Sequence, residues 1–137
     1  MSELTINYFS FLKHIPMLPH FFDWLIKIKI RLSGKKTLDY IDQIERKVLT
    51  WQQTTASSHK SGGVQFNVDG KEIGHIHSNG LLDVFLKLNV AEQLIREGRV
   101  TEHRTIKNSG WLSFQIKTEQ DILFAIELLE YSYLFKM

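Results

Sequence analysis

The chain contains no cysteine in its 137 residues. That excludes disulfides, thiolate nucleophiles, thiolate zinc sites and iron–sulfur clusters, and it fits a reducing, cytoplasmic setting. Long apolar runs are lacking too. The most apolar region, Ile15 to Leu32, is interrupted by Pro19, His20, Asp23, Lys27, Lys29 and Arg31, too polar a stretch for a spanning helix. The amino terminus lacks the basic stretch, apolar core and small-residue cleavage site of a secretory leader, so none is expected. Neither a glycine-rich phosphate loop nor a GxSxG elbow occurs, which leaves nucleotide-driven chemistry and serine hydrolysis unsupported. A formal charge of +2 is too small to imply nucleic acid, and no basic stripe is interleaved with aromatics.

What is present describes a globular protein. Hydrophobic residues make up 43% and charged residues 23%. The expectation is a single domain, 1–137, with a helical part at 19–52 and an α+β part at 63–137. Such a chain is long enough to bury about two-thirds of its unfolded surface. Charge is uneven along it: residues 1–60 carry nine Lys/Arg against five Asp/Glu, and residues 61–137 carry eight against ten. Lys27, Lys29, Arg31, Lys35 and Lys36 read first as a solvated helix face and its exit loop. A second reading is weak peripheral contact with an anionic membrane through Lys27, Lys29 and Arg31, with Phe21, Phe22 and Trp24 as the apolar side.

Pro19 and Gly34 bracket 19–32 as a helix, although the alternation from Trp24 to Leu32 also suits a strand. Thr37 can cap a second helix, in which Leu38, Ile41, Ile44, Val48 and Trp51 recur at helical spacing. Residues 54–63 (TTASSHKSGG) read as a flexible connection. Asp69-Gly70 and Asn79-Gly80 are both two-residue hairpin signals, so strands are predicted at 64–68, 71–78 and 81–87. Asn89 to Glu92 has the form of a capping box, opening a short helix that ends at Gly98. Residues 99–104 and 111–116 suit a hairpin, and Thr118 with Asp121 caps a last helix carrying Ile122, Ala125, Ile126, Leu129 and Tyr133. These elements predict an α+β fold: an antiparallel meander sheet of about five strands with helices packed mainly on one face.

The run Gly74-His75-Ile76-His77 carries the chemistry. Counting from two-residue turns pairs Phe66 with Ile73, Val64 with His75, His77 with Leu82, His75 with Val84 and Ile73 with Leu86. Both histidines then lie on the core face with Val64, Phe66, Val68, Leu82, Val84 and Leu86. Asp83 faces Ile76 in that register and points away from them. Two imidazoles one residue apart on a strand, with His103 as a third, can chelate a transition metal. They can equally line a ligand pocket as neutral rings, or sit hydrogen-bonded at the core edge. The pocket reading is preferred, with no metal and no other cofactor assigned. Arg104 can clamp an anionic oxygen or lie on the surface; Trp111 can stack on a ligand or cover the sheet.

From Gly74 onward the landmarks Gly74-His75-Ile76-His77, Leu82-Asp83-Val84, Gly98-Arg99-Val100, His103-Arg104, Ser109-Gly110-Trp111 and the tail Tyr131-Ser132-Tyr133 resemble a widespread family of small domains. That family includes the luciferase domain of bioluminescent fungi. The tail and meander also look like the MmcQ/YjbR-type α+β fold. The fungal enzymes oxidise a hispidin-type pyrone with dioxygen, without ATP or flavin. The resemblance therefore implies His75, His77, His103 and Arg104 as pocket residues, expected to be catalytic; Trp111, Phe66 and Val84, placed by the strand pattern, are expected to line the ligand site. The expected role is binding, and oxidising, a small aromatic or polyketide-like molecule, although not as a light-emitting enzyme. The alternatives are a non-catalytic interaction module docking through its basic helix, and a His-ligated metal-binding protein.

Overall fold

A computed structural model describes residues 36–59 and 62–137. The order is α1 (Lys36–Val48), β1 (Thr54–Ser58), β2 (Val64–Val68), β3 (Lys71–Ile76), β4 (Leu81–Phe85), α2 (Leu88–Arg96), β5 (Thr101–Glu102), β6 (Trp111–Gln115) and α3 (Glu119–Lys136). All pairings are antiparallel, and the six strands lie in the order β1-β2-β3-β4-β6-β5. The expected α+β class is present, with one strand more than expected. The helix predicted at 19–32, with Lys27, Lys29 and Arg31, lies outside the described residues. Among the described residues no helix is long and apolar enough to cross a membrane.

The extra strand is β1, where a flexible connection was expected. Its Thr, Ala and Ser composition suggests a linker. Pairing with β2, Ala56 opposite Phe66, overrides that composition. Thr54 anchors the start of β1 by donating its hydroxyl to the carbonyls of Val48, the last residue of α1, and of Trp51 in the turn that follows.

The hairpins decide which way the histidines point. Asp69 and Gly70 take positive φ (51° and 79°) in the expected two-residue turn, with Val68 opposite Lys71. Two pairs further along, the register shifts: Asn67 faces Glu72, but Phe66 faces Gly74. Ile73 is the extra residue of a β-bulge. At the other end of β3 the turn has three residues, not two. Gly80 N–H donates to the His77 carbonyl and His77 N–H to the Leu81 carbonyl, both at 2.9 Å. Gly80 alone takes positive φ (88°), whereas Asn79 does not. This is the three-residue loop in which a tight turn is followed by a left-handed glycine.

Each irregularity shifts β3 by one residue against a neighbour, so its upper half is turned over. The observed pairs are Val64–Ile76, Gln65–His75, Gly74–Val84, His75–Asp83 and Ile76–Leu82. None of the five predicted pairs forms. Gly74 and Ile76 join the core face, and His75 and His77 leave it. Gly74 marks a close approach: a Cβ there would stand 2.8 Å from the Asp83 carbonyl oxygen and 3.0 Å from Leu129 of α3.

The helices converge on that core face. Ile41, Ile44 and Val48 of α1, Val90, Ala91 and Leu94 of α2, and Ile122, Ala125, Leu128 and Leu129 of α3 share one cluster with Phe66, Ile76, Leu82, Val84 and Leu112. Leu38, expected on the buried stripe of α1, is 55% exposed. The capping box read at Asn89 does not form; Lys87 is the N-cap of α2 and makes no side-chain cap bond. The Thr118–Asp121 box of α3 does form, with both reciprocal bonds. Gly98, φ 74°, closes α2 while the amides of Gly98 and Arg99 bond the Ile95 and Leu94 carbonyls. Ser132, fully buried on α3, donates to the carbonyl of Ile73 at 3.1 Å, so the last helix satisfies the bulged residue.

Candidate functional site

On the face turned away from the core the register lines up one residue from each strand: Ser57, Gln65, His75, Asp83, Ser113 and Thr101. Directly opposed residues share a face, so a wholly polar row crosses the sheet. Phe85 and Trp111, paired two residues further along β4 and β6, form an aromatic step beside it. Their rings lie 5.7 Å apart, and Trp111 is 6.0 Å from the ring of His75.

Asp83 is the centre. Its side chain is only 4% exposed because imidazoles cover it. Oδ1 accepts the Ser113 hydroxyl at 2.5 Å. Oδ2 is approached by three ring nitrogens: His77 Nε2 at 2.8 Å, His75 Nε2 at 3.2 Å and His103 Nε2 at 3.7 Å. The other nitrogen of His75, Nδ1, meets Glu72 Oε2 at 2.5 Å. His59, just past β1, stacks on His75 with ring centres 3.9 Å apart and planes within 12°. Three of the four histidines of the described residues therefore gather over one buried carboxylate, and the fourth, His59, stacks on one of them.

The charge states follow from these partners. An ionised carboxylate only accepts, so a ring with a carboxylate on each nitrogen is held as imidazolium. Burial alone would lower the His75 pKa. The hydrogen bonds to Asp83 and Glu72, with their charges, outweigh it and raise the value to about 9. Burial likewise pushes Asp83 upward. Hydrogen bonds from His75, Ser113 and His77 win and hold it well below the usual carboxylate range. His103 differs: its Nδ1 accepts the backbone N–H groups of Thr105 and Ile106, both at 3.2 Å. In a neutral ring the proton then sits on Nε2, aimed at Asp83.

Of the residues read from the sequence, His75, His77, His103 and Trp111 are brought together. Phe66 and Val84 are not: both are fully buried on the opposite, core face and cannot line a site shared with the histidines. Arg104 is exposed one residue beyond His103, and among the described residues the cluster's polar contacts do not include it. Asp83, expected to point away, is instead the hub, and the Asp83–His75 pair that the two-residue turn ruled out is present. Glu72, Ser113 and His59 were missed. The signal that could have found them was Gly74, a strand glycine beside a bulge.

Residues 70–132 match the luciferase domain family. No curated protein and no solved structure shows significant similarity to the chain. The matched stretch runs from the turn before β3 into α3, and so holds Glu72, His75, His77, Asp83, His103, Trp111 and Ser113, though not His59. From the first hairpin to the serine that steadies the bulge, the chain is similar to the luciferase domain family.

Proposed function

We propose that the histidine face binds a small aromatic molecule bearing an acidic hydroxyl, of the hydroxypyrone or catechol kind, and presents its ionised form to dioxygen. One observation carries the reading: a buried carboxylate dresses itself in imidazoles directly beside the Phe85–Trp111 step. A polar cluster of this cost, set in a sheet whose other face packs a hydrophobic core, calls for a purpose beyond folding. Trp111 offers a stacking surface 6.0 Å from His75. The imidazolium of His75 and the Nε2–H of His103 supply positive charge and a donor where an enolate oxygen would rest. Dioxygen is then the oxidant of the electron-rich ring carbon, the role implied by the family resemblance. Arg104 is not needed for this reading.

Calorimetric titration with an aryl-substituted 4-hydroxy-2-pyrone, alongside an oxygen electrode, tests it. Micromolar binding is expected, weakened at least about tenfold in Trp111→Ala and in His75→Ala, the scale of one lost stacking or charged contact. Equal binding in all three proteins, or none in any, rejects the proposal. Binding without oxygen uptake rejects its oxidative half only.

A further inference from the structure

We infer that His75 Nε2, His77 Nε2 and Asp83 Oδ2 form a site for one divalent transition-metal ion, with His103 beside it as a hydrogen-bond donor and not a ligand. The three atoms lie within 4.8 Å of one another. Asp83 Oδ2 is 3.2 Å from His75 Nε2 and 2.8 Å from His77 Nε2. An ion about 2.0–2.2 Å from each ligand needs ligand atoms about 3.0–3.4 Å apart, so both separations match to a few tenths of an ångström. Two imidazoles and one carboxylate gathered on one side suit iron(II), cobalt(II) or zinc, and leave coordination positions for an incoming oxygen.

The surroundings fit that assignment. Glu72 Oε2 holds His75 Nδ1 at 2.5 Å, the carboxylate–histidine arrangement that orients a ligating ring and directs its other nitrogen at the ion. Ser113 occupies Asp83 Oδ1 and leaves Oδ2 to coordinate. His103 is excluded by its tautomer: with two backbone N–H groups on Nδ1, its Nε2 carries the proton and has no lone pair to give. A second grouping, His59 with Glu72 and His75, is the poorer candidate. Rings stacked within 12° of parallel do not aim two in-plane lone pairs at one ion. Binding displaces the Nε2 proton of His75, and the ion then supplies the positive charge that the imidazolium carries in the metal-free protein. For its role, acidifying a bound hydroxyl, the ion rests on the function proposed above, and its existence does not.

The test uses the full chain, stripped with a chelator, dialysed and titrated with Co2+ alone. One ion per chain is expected, with visible absorption of a nitrogen- and oxygen-ligated cobalt centre. His77→Ala and Asp83→Asn should weaken binding at least about 100-fold, and Glu72→Gln about 10- to 100-fold, as for a lost ligand and a lost orienting partner. His103→Ala should stay within about threefold, since no bond to the ion is removed. Glu72 is 27% exposed, so its variant keeps the test alive should Asp83→Asn fail to fold. Absence of stoichiometric Co2+ binding overturns the site, as does loss in His103→Ala equal to that in His77→Ala. Pyrone binding in chelated protein that takes no Co2+ sinks the metal and spares the function; the reverse pattern sinks the function and spares the metal.

Discussion

Asp83 holds two imidazole bonds on one oxygen and a hydroxyl on the other while almost wholly shielded from solvent. Removing it leaves the charge of His75 facing only Glu72. Asp83→Ala should therefore cost about 3 kcal/mol in urea unfolding, the lower end for orphaning a buried charge, because the imidazoles keep some solvent. Protonation gives a second check on metal-free protein. His75 has a folded pKa of about 9 against an ordinary 6.5, so its contribution is complete below about 6.5 and lost as pH rises through 9. Asp83 has a lowered pKa, so its contribution is complete above its ordinary 3.8 and lost only in stronger acid. Stability of the chelated protein should be greatest between these limits and fall from pH 6.5 to 9. His75→Gln should flatten that alkaline slope, and an unchanged slope would contradict the ion-pair assignment.

At the scale of elements, two single-residue irregularities in one strand carry the consequences. Strands β2 and β4 present the faces that their own alternation demands, and Leu82, Val84, Phe66 and Val68 are buried as expected. Only the upper half of β3 is reversed, by the Ile73 bulge on one side and the three-residue turn on the other. Asn-Gly is read as a two-residue turn because both residues tolerate positive φ. Here Asn79 stays in ordinary φ and Ser78 joins the loop, a choice that propensity does not settle. The histidines, Trp111 and the last capping box were legible; Asp83, Glu72 and Ser113 were not, since a one-residue slip moves a side chain to the other face. Deleting Ser78 to impose the shorter turn should abolish Co2+ binding. Ser132→Ala, which orphans the buried Ile73 carbonyl, should cost about 1–2 kcal/mol in urea unfolding.

For the whole molecule, the family match begins at residue 70, yet the sheet does not. Strands β1 and β2 extend it on one side, and α1 packs against α3, with Ile44 and Val48 fully buried. A cut at residue 63 would therefore pass through one core. A fragment of 63–137 should lack a cooperative thermal transition by circular dichroism, and Ile44→Ala in the full chain should lose about 2–5 kcal/mol. His59 of the histidine cluster would go with the same cut, since it lies just after β1.

The alternation of the sheet separates what this protein must keep from what it can vary. In the proposed site, substituting Gln65 or Trp111 alters groups on the histidine face, opposite the side chains beneath the helices. New ligand preferences can thus be grafted onto this scaffold one side chain at a time, with its folding left largely undisturbed.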